Sequence, residues 1–385
     1  MTGDGFGFRV ETRSTRTRAR LGVFDTPHGP VRTPAFMPVG TRGTVKGVLP
    51  RELDELGASM VLANTYHLFL RPGAEVVRAL GGLHSFMAWD GPILTDAGGY
   101  QVFSMSDLAS IDEDGVSLRS IVDGGKVRLT PERVVEIQRD LGADVQMAFD
   151  HCPPDPTDRS GVIAATDRTH RWLERCVRRH EELGGVASGQ ALFGIVQGGA
   201  FEDLRQSSVE HVVAHDLVGY AIGGVSVGED RSAMRTAVEA AAPRLPEDKP
   251  RYLMGVGLPL DFFDAIASGI DLFDCVTPTR HARNHQVFTS RGRANLRNRC
   301  WREDPRPLDP ECDCTACTSF SRGVLRHLCT TDEMLGAMLL TQHNLRVFFR
   351  LFDRIREAIR VDRLNELRDE VLPAMQAKLD PGEPA

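Results

Sequence analysis

Eight short apolar runs punctuate the first three quarters of the chain, at residues 33–40, 60–66, 92–98, 144–150, 192–198, 219–225, 251–257 and 272–277. Most are continuous rather than alternating, which is how strands buried on both faces of a parallel sheet read. Amphipathic stretches separate them, some with helix-start signals. In Thr130-Pro131-Glu132 a capping threonine precedes proline at the first helical position, and Pro259 opens another such stretch. Eight strand-and-helix units within roughly 250 residues is the arithmetic of an α/β (β/α)8 TIM barrel. Open doubly wound sheets usually hold fewer strands. The pattern predicts the barrel, whose chemistry collects at the C-terminal ends of its strands.

The residues at those ends are Asn64, Asp96, Asp150, Gln197, Gly224, Gly257 and Asp274. Loops are polar in any case, and a helix cap or loop turn explains any single aspartate equally well. Three carboxylates at matching ends suggest more. Two of them flanking a sugar can carry out displacement at an anomeric carbon, one as nucleophile and the other as acid and then base. A third can read the donor edge of a purine. The glycines after Asp96 do not form a phosphate-binding loop; they let a planar ligand approach the backbone.

Composition changes the picture at one place. The chain has 385 residues, 41% apolar and 26% charged, and a formal net charge of −7, which argues against a general nucleic-acid coating protein. Yet residues 275–302 hold seven arginines and no acidic residue, which leaves −14 on the rest. A cationic track beside Asp274 is therefore expected, and with the carboxylates it points to glycosidic chemistry on a nucleic acid. No apolar run approaches the ~18 to 20 residues of a membrane-spanning helix. Eight cysteines in a chain of this length, with no secretory leader pattern, fit a reducing cytoplasm.

Three of those cysteines cluster as Cys312-x-Cys314-x2-Cys317. Thiols at that spacing wrap a tetrahedral zinc, and a closed structural site needs a fourth ligand. His327, Cys329 and His343 are the candidates on spacing. A long amphipathic helical segment is expected from about 332 to 378, followed by a short tail. Cys176, on a helical stretch with Trp172, reads as packing. The predicted organisation is a catalytic barrel with an N-terminal β extension over 1–300, a zinc-binding subdomain over 301–345, and C-terminal helices with the tail over 346–385.

Five stretches carry a resemblance that covers essentially the whole chain: residues 64–68 (NTYHL), 95–103 (TDAGGYQVF), 194–199 (GIVQGG), 221–229 (AIGGVSVGE) and 273–280 (FDCVTPTR). In order and content they resemble the bacterial tRNA-guanine transglycosylases. The resemblance implies a TIM barrel bearing a zinc subdomain. It also implies exchange of the wobble guanine of GUN-anticodon tRNAs for 7-aminomethyl-7-deazaguanine, without backbone cleavage. By resemblance Asp274 is the nucleophile and Asp96 the general acid and base. Asp150, Gln197 and the Gly224 backbone bind the purine edge, Tyr100 and Met254 cover its faces, and Glu229 supports the loop near the aminomethyl group. Arg280 and Arg283 match positions that read neighbouring uridines. The family zinc ligands fall on Cys312, Cys314, Cys317 and His343, and homodimers are usual. Many bacterial members carry leucine where this chain has Val225, a conservative change at a position that recognises through its backbone. Cys152 and Val227 fit the bacterial pocket. Two alternatives remain distinct in chemistry: a barrel nucleoside or glycoside hydrolase, disfavoured by the arginine run, and a non-catalytic tRNA-binding subunit, disfavoured by the complete carboxylate set.

Overall fold

The computed structural model describes residues 5–99, 109–153, 155–225 and 230–382. Three antiparallel strands open it, β1 (Gly7–Arg13), β2 (Arg20–Thr26) and β3 (Gly29–Thr33). Then come β4 (Ala35–Gly40), β5 (Val61–Asn64) and β6 (Ile93–Asp96). A small antiparallel sheet of β7 (Ala109–Ile111), β8 (Val116–Arg119) and β9 (Lys126–Leu129) interrupts the series. It resumes with β10 (Val145–Met147), β11 (Ala191–Val196), β12 (Gly219–Ile222), β13 (Arg251–Leu253) and β14 (Leu272–Cys275). The eight strands β4, β5, β6 and β10 to β14 pair in parallel and close on themselves, β14 against β4 and β6 against β10. Each predicted apolar run coincides with one barrel strand. The continuous pattern arises because the outer faces are covered by helices while the inner faces fill the barrel.

Local signals set the helix starts. Thr130 caps Pro131–Leu141, its hydroxyl accepting from the Arg133 amide at 3.2 Å, and Gly142 ends that helix in the left-handed region at φ 75°. The eighth helical position is filled late. After β14 the chain makes a short helix, Thr277–Arg283, and a hairpin, β15 (Gln286–Thr289) with β16 (Gly292–Asn295). It passes through the cysteine loop before Met334–Arg360 returns to the barrel. On that helix Phe348 and Phe352 interlock with Phe36 of β4, Phe262, and Phe273 of β14, with ring centroids 5.0 to 6.1 Å apart. Such tilted aromatic contacts add to an already large apolar burial.

The expected single helical segment over 332–378 is in fact two helices, Met334–Arg360 and Leu364–Gln376. Asp362 breaks it, at φ 55°, while its carboxylate accepts from the Ser14 hydroxyl at 2.6 Å and the Thr15 amide at 3.2 Å. Amphipathic periodicity ran through the break because both helices bury the same kind of face.

A second apolar cluster stands apart from the barrel core. It gathers Ala282, Val287, Leu296, Trp301, Leu308, Leu325, Leu339 and Leu340 around Cys312, Cys314 and Cys317. At the other end of the barrel the stacked rings of His28 and His84 both hold the buried Asp144 carboxylate, at 2.7 and 3.2 Å. Their planes lie 15° apart with centroids at 3.5 Å. Each ring takes a different oxygen of that carboxylate, His28 Nδ1 on Oδ1 and His84 Nε2 on Oδ2. The trio pins the β2–β3 turn to the barrel floor. Among the described residues no helix is long and apolar enough to cross a membrane.

Candidate active site

Parallel pairing in a closed barrel brings strand ends together that are far apart in sequence. Asp96 ends β6 beside Asn64 of β5, with which it is in register. The Asn64 amide donates to Asp96 Oδ2 at 2.6 Å and the Thr65 backbone amide donates to Oδ1 at 3.1 Å. Asp274, on β14, accepts at Oδ1 from the Tyr252 hydroxyl (2.6 Å) and the Gly255 amide (2.7 Å). Asp150, just beyond β10, accepts at Oδ2 from Gln197 Nε2 at 2.7 Å.

The three carboxylates are electrostatically unequal. Burial in the barrel mouth pushes Asp96 up to about 7, and the neighbouring charges of Asp274 and Asp150 add to the rise against the pull of its two donors. Burial lifts Asp150 to about 6, opposed by the Gln197 amide. Asp274 is raised by burial too, but its Tyr252 and Gly255 donors favour the anion. Environments that differ in this way divide acid and base roles between neighbouring carboxyls. Asp96 is poised to give up and recover a proton near neutrality, and Asp274 has an oriented carboxylate oxygen.

The wall beside them is built from backbone and amides. Two glycines are obligatory. A Cβ on Gly99 would lie 2.1 Å from Asp150 Oδ1, and one on Gly224, at φ +61°, would lie 2.2 Å from Gln197 Oε1. The main chain therefore comes directly against the Asp150 carboxylate and the Gln197 amide. Gln197 is fully buried, and its Oε1, which lies against Gly224, has no hydrogen-bond partner among the described residues. Val225 is buried beside Gly224, and Met254 is half-buried with its sulfur near Gly223. Cys152, two residues after Asp150 in the chain, is buried. Tyr100, Val227 and Glu229 lie outside the described residues.

The arginine run divides by location. Arg280 and Arg283 sit on the helix Thr277–Arg283, directly after Asp274. Arg297 is paired with Asp332 and Arg302 with Glu303, while Arg293 donates to the Gln376 carbonyl at the end of the C-terminal helix, so part of the run is engaged within the protein. The rim gains two cations that sequence reading missed, Arg42 and Lys46, from the loop after β4. Burial and the proximity of Arg283, Arg42 and Arg280 hold Lys46 below the usual range of an ammonium. More than 230 residues separate these groups in sequence, so no local signal could join them. Tyr252 and Arg205 were missed as well: Tyr252 lies inside an apolar run and reads as core, and Arg205 stands several residues beyond the run 192–198 with no local pattern to mark it.

Cys312, Cys314, Cys317 and His343 are all buried, with one ligand atom from each within 4.8 Å of all the others. Of the three candidates for the fourth position, the fold brings His343 to the thiols. Its Nδ1 lies 3.5 Å from Cys314 Sγ and 3.3 Å from Cys317 Sγ. Its Nε2 is 2.7 Å from the Phe288 carbonyl, the partner that fixes a tautomer with Nδ1 free for metal. Hydrogen bonds from the other two thiols drive Cys312 well below its usual range, and Cys317 is driven above it. This thiolate-rich set suits a structural zinc, with no position left for substrate.

Comparison with known proteins agrees with this architecture. The family model for queuine tRNA-ribosyltransferase matches residues 14–377. A queuine tRNA-ribosyltransferase of Desulforamulus reducens is 52% identical over 369 residues, covering 96% of this chain and 98% of the relative. One from Synechococcus elongatus is 55% identical over 361 residues, covering 94% and 93%, and one from Nostoc is 54% identical over 361 residues, covering 94% and 95%. With its closed barrel, buried Cys3His set and near full-length identity to these enzymes, the chain belongs to the queuine tRNA-ribosyltransferase family.

Proposed function

We propose that the protein is a tRNA-guanine transglycosylase of queuosine biosynthesis. It replaces the wobble guanine of GUN-anticodon tRNAs (Asp, Asn, His and Tyr) with 7-aminomethyl-7-deazaguanine, acting as a cytoplasmic homodimer. The observation that carries this reading is the pairing of Asp96, raised to about 7, with Asp274, oriented by Tyr252 and Gly255, in one barrel mouth.

The chemistry follows from those groups. Asp274 attacks the ribose anomeric carbon, the glycosidic bond breaks, and guanine departs with a proton from Asp96. The resulting ribosyl ester keeps the RNA backbone whole. The incoming base loses its ring proton to Asp96, attacks the same carbon and expels Asp274, so two inversions give net retention. Asp150 and Gln197 take the polar edge of the purine, the Gly224 amide donates to its carbonyl, and Tyr100 and Met254 cover its faces, as pockets for flipped-out bases require. Glu229 steadies the loop, Val225 contributes its backbone, and Arg280 and Arg283, joined by Arg42 and Lys46, draw the anticodon loop onto the rim. In this division residues 1–300 supply the reacting barrel, 301–345 the metal-bearing unit, and 346–385 the helices that fasten it.

Incubation with labelled guanine and a GUN-anticodon tRNA is expected to incorporate label at the wobble position. Folded, zinc-loaded protein that incorporates none, or that releases guanine and leaves an abasic ribose in the tRNA, would rule this function out in favour of a binding subunit or a hydrolase.

The raised carboxyl adds a pH signature. Asp96 must be protonated to assist guanine departure, so the rate of displacement is expected to fall as pH rises through about 7. Asp96→Asn should abolish that limb and slow displacement by about 100- to 10,000-fold, the usual range for a lost general acid. A pH–rate profile of single-turnover adduct formation is the measurement, and an unchanged alkaline limb in the variant would assign the proton to another group.

A further inference from the structure

Arg205 lies on the first turn of the helix Glu202–Val213, in the layer outside the barrel, and is fully buried. Its guanidinium reaches under two strand ends at once. Nε donates to the Gly199 carbonyl at 2.7 Å and Nη1 to those of Val196 (2.9 Å) and Gly223 (2.8 Å). Nη2 donates to the Gly224 carbonyl at 3.2 Å. Four acceptors from the loops after β11 and β12 thus share one planar fork of donors, which only arginine supplies.

The orientation of these carbonyls has a consequence on the opposite side of the loop. In a trans peptide the carbonyl and the following N–H lie in one plane and point in opposite directions. With the Gly223 carbonyl turned to Arg205, the Gly224 N–H points away from the helix layer. That direction leads to the barrel mouth, where the Gly224 backbone lies against Gln197 and Gln197 holds Asp150. Two successive glycines would otherwise let this peptide turn over at little cost, presenting a carbonyl where a donor is needed. The loop has no slack on the other strand end either, because a Cβ on Gly198 would lie 2.8 Å from the Arg205 amide nitrogen.

We propose that Arg205 is a positioning residue for base selection: by holding the Gly223 and Gly224 carbonyls it aims the Gly224 amide at the purine C6 oxygen, so that the site selects a base with an acceptor there. The inference rests on reading this site as a purine pocket, and it adds a residue that never touches the base.

The test compares guanine with 6-thioguanine, whose sulfur is a weaker acceptor at the same position, as competing ligands of the full-length protein. Wild type is expected to favour guanine. Arg205→Lys keeps the charge but cannot span the four carbonyls, and the guanine preference is expected to drop by about tenfold, the worth of one hydrogen bond. Equal weakening of both ligands, or an unchanged ratio, would overturn the proposal in favour of a merely structural arginine. If the lysine variant does not fold, a crystal structure of wild type with guanine decides. The Gly223 carbonyl should remain on Arg205, with the Gly224 nitrogen about 3 Å from the C6 oxygen; a Gly223 carbonyl turned off Arg205 in that complex overturns it. Wild type that binds neither base would instead refute the purine pocket itself.

Discussion

Asp274→Ala is expected to abolish both base exchange and the denaturation-resistant protein–tRNA adduct while leaving the fold intact. The side chain stands at the mouth of the barrel rather than in its core, and its partners are one hydroxyl and one backbone amide. Loss of a nucleophile that forms a covalent intermediate typically lowers turnover by about 10,000-fold or more, because neighbouring groups evolved to assist it cannot replace it. Asp274→Asn sharpens the test. The amide oxygen can still accept from Tyr252 and Gly255, so geometry is conserved, yet it is a poor nucleophile; the adduct should be absent here as well. Denaturing gel shift with labelled tRNA reads the adduct, and circular dichroism reads the fold. An adduct that survives in the alanine variant would assign the nucleophile to a different carboxylate, with Asp96 and Asp150 the only others at these strand ends among the described residues.

Removing the zinc by chelation, or replacing one ligand in Cys317→Ser, should cost stability before chemistry. Zinc held by such a set typically contributes on the order of 10 kcal/mol, and that free energy is available only to the folded loop. Without it three crowded thiols and a buried imidazole remain in a small apolar cluster built from residues of 282–340 and Leu379. The damage should also be local. His343 and Phe348 share one helix, but Phe348 and Phe352 are anchored in the barrel by aromatic contacts that do not involve the metal. Hydrogen exchange is therefore expected to rise across the cysteine loop and the β15–β16 hairpin, while the barrel strands stay protected, together with a clear loss in melting temperature. Metal-free protein with unchanged melting temperature and exchange would contradict a structural role.

How far the sequence leads depends on whether a feature is local. Barrel strands were legible because burial on both faces leaves an uninterrupted apolar run, and helix starts because a cap such as Thr130 acts within three residues. The three aspartates were legible because they follow such runs directly. The break at Asp362 was not, since it depends on Ser14 and Thr15 from the opposite end of the chain. Nor were the antiparallel insert β7–β9 and the β15–β16 hairpin, whose short strands carry too few residues to establish a period.

By itself the sequence determined the barrel, the thiol set and which strand ends carry carboxylates, all of which are written in neighbouring residues. Spacing left His327, Cys329 and His343 open, the resemblance pointed to His343, and the tertiary structure brought His343 to the thiols; it also added Arg42 and Lys46 beside Arg280 and Arg283 and paired Arg297 with Asp332 and Arg302 with Glu303. It alone raised Asp96 to about 7 and set Arg205 beneath the Gly223–Gly224 turn. The physical reason is common to all of these. Charge interactions, desolvation and hydrogen-bond direction depend on distances through space, and a closed barrel makes neighbours of residues that the chain keeps tens to hundreds of positions apart.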